Sequence, residues 1–288
     1  MTQTAEQGLS GIAFVPRGSG MVVLTPSFLV GETGRRIYDA YRKHITENFP
    51  ENENFQLRLE GNEVVEANVN DANIIDQVVR PFGGRVSLPK DWDEEFMQMT
   101  DNKHYTIANA LVFRTLQDGY EPKNDRITQA LAEHIDVERA LREPGMITGF
   151  NFVPNQDESY GFIAVPAQRF HVHYDERFLG KYNGLKFDNT DDKGMPLHLD
   201  KQNGKRVWST RDDGISGFDL NRSRGLLSSG YVLSYSYGNG RVVVVAAEGG
   251  ALDLSEVLET QQRSELLGRL ENARTYIQNL EESLRGKK

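Results

Sequence analysis

The stretch FHVHYD, residues 170–175, sets two imidazoles and a carboxylate at alternate positions. In a β-strand, residues two apart share a face and stand about 6.5–7 Å from one another. His171, His173 and Asp175 then line one side, and Phe170, Val172 and Tyr174 the other. Two histidines so spaced can chelate one ion. A third ligand from a neighbouring strand completes a zinc or iron site of the catalytic type. His198, in PLHLD with Asp200 beside it, is the natural third ligand. The metal candidates are therefore His171, His173, His198 and Asp175, with zinc or iron as the ion. The same alternation also describes a half-exposed strand with one hydrated face. No other motif in the chain calls for a cofactor.

Four further constellations carry weaker chemistry. DNTDDKG (188–194) alternates oxygen-bearing residues as calcium loops do. Its glycine falls one place late, and Leu199 stands where the closing glutamate belongs. LVGETGRR (29–36) leads two glycines into a helix start, where backbone amides favour anions. It has Arg35-Arg36-Ile37 in place of the Gly-Lys-Ser/Thr of a phosphate-binding loop. Tyr231, Leu233, Tyr235 and Tyr237 share a strand face. With Trp208 nearby in sequence, such a strip offers stacking to sugars or bases, or packs as core. STRDDGISGFD (209–219) gathers Arg211, Asp212, Asp213 and Asp219, although neighbours in a strand point to opposite faces. A serine nucleophile elbow and an HExxH helix are both absent from the sequence.

The composition narrows the partners. The 288 residues are 38% hydrophobic and 26% charged, enough for a real core. The net charge of −9 disfavours a general phosphate-backbone interface, so no general nucleic-acid binding is expected. There is no cysteine, hence no disulfide and no thiolate ligand, which suits a reducing, cytoplasmic setting. A virion is the alternative setting for a viral chain. MTQTAEQGLSG lacks the basic and apolar segments of a secretory signal. The longest aliphatic run, 242–247, is too short to span a bilayer, so no membrane is expected.

The elements that would hold these residues follow from periodicity and turn chemistry. GIAFVP (11–16) and GFNFVP (149–154) match at four of six positions, and each opens a strand–turn–strand unit. A helix is expected over 33–49 with Ile37, Tyr41 and Ile45 in line, and a hairpin at Gly61-Asn62. A short helix starts at Asn70 or Asp71 and stops before Pro81. Two more helices are expected, over 105–116 and 125–142. Pro144-Gly145 marks the best boundary. The second half is β-rich, with a hairpin at Asn239-Gly240. The valine run after that turn lacks polar alternation, as a strand covered on both faces would.

Asp253 and Glu256 cap a tail helix that can reach Leu284, about 45 Å. Along it, Leu266, Leu270, Ala273, Ile277, Leu280 and Leu284 recur at spacings of four and three, a heptad seam.

The expected fold is α+β. It comprises a mixed α/β domain over 1–145, a β-rich sandwich or barrel-like domain over 146–250, and a long amphipathic C-terminal helix over 251–288. The expected function is a non-catalytic structural or assembly protein. It would associate with itself or with partner subunits through the seam, for instance in a virion or phage-type particle. One alternative is a metal-dependent enzyme centred on His171, His173 and His198. The other is a glycan or small-ligand binding module using Tyr235, Tyr237 and Trp208.

Overall fold

The structure, a computed structural model, describes residues 13–17, 20–24, 29–82, 84–92, 96, 103–115, 126–221, 225–228, 233–234 and 238–246. The tail helix over 251–288 and its seam, Leu266, Leu270, Ala273, Ile277, Leu280 and Leu284, lie outside them.

Among the described residues the fold is β-rich, which corrects the expected mixed α/β first half and long-helix architecture. The decisive element is 105–116. It is a strand, β6 (Tyr105–Thr115), not a helix. Ile107, Leu111 and Phe113 join one hydrophobic cluster, while Ala108, Ala110 and Val112 join another. A strand buried on both faces shows no polar alternation, so its apolar run resembles a buried helix. The expected helix over 125–142 is likewise broken. It gives α3 (Arg126–Ala130), a turn of 3-10 helix, and α4 (Val137–Ala140). Ile135 is extended, and the Asp136 side chain accepts the Arg139 N–H, starting a new helix where the old one would have continued.

Two expected helices form, although the second is capped by Asn68 and not by Asn70 or Asp71. In α1 (Gly31–Asn48), Ile37, Tyr41 and Ile45 are buried along one face. In α2 (Val69–Val79), the Asn68 side chain accepts the Asp71 N–H at 2.9 Å, and Asp71 accepts the Asn68 N–H at 3.0 Å. This reciprocal pair satisfies two donors that a helix start leaves orphaned. No described helix is long and apolar enough to cross a membrane.

The main sheet contains β7 (Gly145–Pro154), β8 (Phe162–Tyr174), β9 (Lys186–Phe187), β10 (Arg206–Ser209), β11 (Asp213–Asn221) and β12 (Gly225–Leu227), besides β6. Its order is β8-β7-β6-β11-β12-β10-β9, and β13 (Gly240–Arg241) pairs in parallel with β6. Gly145, at the expected boundary, opens a strand that pairs directly with β6. The hydrophobic cluster packed with α1 and α2 draws residues from both sides of that point.

Three small ribbons complete the described fold. They are β1 (Ala13–Arg17) with β2 (Gly20–Leu24), β3 (Arg58–Glu60) with β4 (Glu63–Val65), and β5 (Gly84–Val86) with β14 (Val244–Ala246). The two echoing hexapeptides thus both enter antiparallel hairpins, β1-β2 and β7-β8. The valine run is buried throughout, but β14 pairs with β5.

The opposite face of the sheet packs Trp92, Phe96, Phe178, Phe187, Trp208 and Phe218. Within it lies Arg114, fully buried. Its Nε donates to the Phe178 carbonyl at 2.9 Å and its Nη1 to Ser216 Oγ at 2.9 Å. Its Nη2 reaches Thr210 Oγ1 and both oxygens of Ser228. Leaving such a charge without acceptors would cost several kcal/mol, so its fork binds four segments into one arrangement.

Candidate functional site

The β6-β7 ladder ends where Ala110 pairs with Thr148. Beyond it, α2 takes over the free backbone groups of β7. Asn73 Nδ2 donates to the Phe150 carbonyl at 2.9 Å, and the Phe152 N–H donates to Asn73 Oδ1 at 2.8 Å. Gln77 Nε2 donates to the Phe152 carbonyl at 3.0 Å. Two amide side chains therefore stand in for a strand, which accounts for buried backbone groups that could not go unpaired. Asn73 also donates to Asn109 of β6 at 2.9 Å, closing the fork.

The β7-β8 register breaks at the same level. Thr148 pairs with His171 and Phe150 with Pro166, so Gly149 alone faces four residues of β8. Bulges of this kind redirect side chains and recur beside binding sites.

A cavity of about 350 Å³ occupies this fork. Its floor is buried: Asp76, Val86, Asn109 and Met146. Its rim is exposed and carries Lys90, Gln168, Arg169, His171 and Lys193. Arg80 and Arg85 lie between. Of the lining residues, five are Arg or Lys and two are His, against one carboxylate, in a chain of net charge −9.

Arg80 and Arg85 each face a carboxylate. Arg80 Nη2 lies 2.5 Å from Asp76 Oδ2, and Arg85 grips Asp91 outside the lining through two bonds of 2.5 and 2.7 Å. Burial pushes the Asp76 carboxyl above its ordinary value, opposed by Arg80 and the Val86 N–H. Lys193 is brought to the rim by its loop. Gly194, at φ +82°, presses so closely on Pro89 and Lys90 that a Cβ there would collide with their backbone.

That loop is the calcium-like DNTDDKG segment, and a guanidinium ties it down at Asp191. Arg177 Nη2 bridges Asp175 and Asp191 at 2.5 and 2.7 Å, while its Nη1 donates to the Pro196 carbonyl. Burial raises the Asp175 carboxyl, but contacts from His173 and Arg177 outweigh it and hold the group well below the usual carboxylate range.

The sequence-derived metal candidates separate. His171 and His173 both line the cavity. His173 Nε2 is buried and lies 3.3 Å from Asp175 Oδ2, without a well-directed hydrogen bond. Asp175 is engaged by Arg177. His198 is exposed in a left-handed turn (φ 51°) and is not part of the cavity lining. Among the described residues, no group of three or more His, Asp or Glu side chains gathers as a metal set would.

The stacking candidates fare similarly. Trp208 is fully buried and donates its indole N–H to the Arg177 carbonyl at 2.7 Å, while Tyr235 and Tyr237 lie outside the described residues. The arginines of LVGETGRR have partners of their own, Arg35 with Asn62 and Arg36 with Glu32. Asp213 pairs with Arg211 at 2.6 Å, apart from Asp212, which packs against Gly180.

Sequence reasoning missed Arg80, Arg85, Lys90, Arg169 and Lys193 as a set. They come from the 3-10 turn after α2, β5, a second 3-10 turn, the β8 bulge and a loop, so no local spacing joins them. No family model, curated protein or solved structure matches the chain.

Proposed function

We propose that the protein is a non-catalytic binding component whose cavity seats a small anionic ligand. The observation that carries this reading is the concentration of five cations and two imidazoles around one cavity of a net-acidic chain. A concave site with low-dielectric walls focuses such charge and raises the local concentration of anions. The test is calorimetric titration with inorganic phosphate and with sulfate at low ionic strength. Saturable binding that weakens with added salt and is lost in Arg169→Glu/Lys193→Glu supports the reading. An absence of binding, or binding indifferent to both charge reversals, sinks it. Elemental analysis is the counter-test: stoichiometric zinc or iron lost on His171→Ala would replace this reading with a metal enzyme.

A second proposal concerns assembly. The heptad spacing from Leu266 to Leu284 supports association with itself or with partner subunits. Light scattering of the full chain against a version ending at Ala251 tests self-association, which fails if both are monomers. A cytoplasmic setting, or a virion for a viral chain, belongs to the same proposal and is supported by the cysteine-free composition.

A further inference from the structure

Resting on the anion reading above, we infer that the cavity's ligand is a small organic phosphate, seated with a hydroxylated body inward and its phosphate at the rim. A cavity of about 350 Å³ lies within the ~300–1,000 Å³ range of small-molecule sites, more room than a lone oxyanion fills.

Polarity then sets the direction. The floor offers a carboxylate, Asp76, and an amide, Asn109, with apolar walls from Val86 and Met146. The Asp76 side chain is only 3% exposed; its Oδ2 lies 2.5 Å from Arg80 Nη2, and its Oδ1 accepts from the Val86 N–H at 2.7 Å. The Asp76–Arg80 pair carries no net charge, so with Asn109 the floor offers groups that hydrogen-bond hydroxyls but no surplus of positive charge. The surplus of positive charge lies at the rim, and that is where a phosphate is seated. There Lys90, Arg169, His171 and Lys193 are supplied by three separate segments. The Thr148 hydroxyl, with the Gln168 amide at the rim, completes a lining suited to several hydroxyls.

An inorganic ion uses only the rim, and a neutral sugar only the floor. A phosphate monoester on a polyhydroxylated body uses both. Ribose 5-phosphate and adenosine 5′-monophosphate share that chemistry and differ in whether a base is carried.

The experiment is calorimetry on the full chain at low salt with four probes: ribose 5-phosphate, adenosine 5′-monophosphate, inorganic phosphate and ribose. At least one organic phosphate is expected to bind about tenfold or more tightly than inorganic phosphate. Ribose alone should not bind measurably. The better of the two monoesters identifies the body as sugar or nucleoside. Thr148→Val, a near-isosteric change, should erase part of that preference while leaving inorganic phosphate unaffected. Equal affinities for organic and inorganic phosphate overturn this inference and leave the anion reading standing. Failure of every phosphate to bind overturns both. If Thr148→Val lowers all affinities alike, the body is not seated where stated, and the inference fails on that point.

Discussion

Gly149 and Arg169 face each other across the β7-β8 bulge, and both hold left-handed backbone, at φ +70° and +71°. For glycine this costs little; for arginine it costs on the order of 1–2 kcal/mol. A Cβ at Gly149 would also collide with the Arg169 carbonyl. Gly149→Ala is therefore expected to lose about 2–4 kcal/mol from strain and collision together. Arg169→Gly should relieve strain and leave stability unchanged or raised by up to about 1 kcal/mol, while anion affinity falls about tenfold. Chemical denaturation of both variants, with phosphate titration of the second, checks the pair. A stabilised Arg169→Gly that keeps full affinity would show that the strained backbone serves something other than binding.

Much of the scaffold was legible because its signals are local. Ile37, Tyr41 and Ile45 recur at the helical period, and α2 was legible apart from its cap, which is Asn68 with Asp71 three residues on and not Asn70 or Asp71. Gly61-Asn62 turns the β3-β4 hairpin as such pairs do. What failed was β6. With neighbours on both faces its alternation vanishes, and the pattern of a buried strand merges with that of a buried helix. The His171/His173 alternation was visible, yet the cavity they line was not. The cations from Arg80 to Lys193 meet only after α2 has filled the fork between β6 and β7. Their proximity is a property of topology, and no spacing along the chain encodes it.

Arg114 makes a prediction about geometry rather than charge. Its planar fork reaches Phe178, Thr210, Ser216 and Ser228 at once. A lysine keeps the charge but presents a single ammonium, which cannot reach all four segments. Arg114→Lys should lose about 2–3 kcal/mol, as two or three hydrogen bonds to a charged donor are given up in a dry site. Equilibrium urea denaturation measures this directly. A loss below about 0.5 kcal/mol would mean that charge, not the fork, is what the core needs.

Arg177 joins Asp175 and Asp191 and thereby holds the loop that carries Lys193. The Asp175 carboxyl is held below its ordinary value of 3.8. Its stabilising share is therefore present above that value and is lost as pH falls beneath it. Arg177→Met removes the partner and should cost about 1–3 kcal/mol near neutrality, discounted because the guanidinium is partly exposed. The variant should also show a shallower acid-side loss than the parent. Thermal melts from neutrality down to acid pH test both effects, and phosphate affinity should fall in parallel as Lys193 loses its anchorage. An acid limb as steep in the variant as in the parent would assign the effect to other carboxylates.

Asp219 gives the opposite pH signature. It sits in β11 between Ile107 and Leu227, and burial pushes its carboxyl up from 3.8 to about 7. The folded state thus holds a proton that the unfolded chain releases between those values. The contribution to stability is full below 3.8, declines as pH rises, and is gone above about 7. Asp71, also raised to about 7 by burial, adds a second share of the same sign, but it accepts from Tyr41, Gln56 and Asn68, so its removal would break the α2 cap. Asp219→Asn is the cleaner test, being isosteric and always neutral. At alkaline pH the variant should melt higher than the parent. At pH below the ordinary carboxylate value the two should melt together, since the parent's group is then protonated in both states. Melting curves across this range decide the matter. A variant that is destabilised equally at every pH would show that Asp219 serves through its hydrogen-bonding geometry, with its buried charge contributing nothing to the pH dependence.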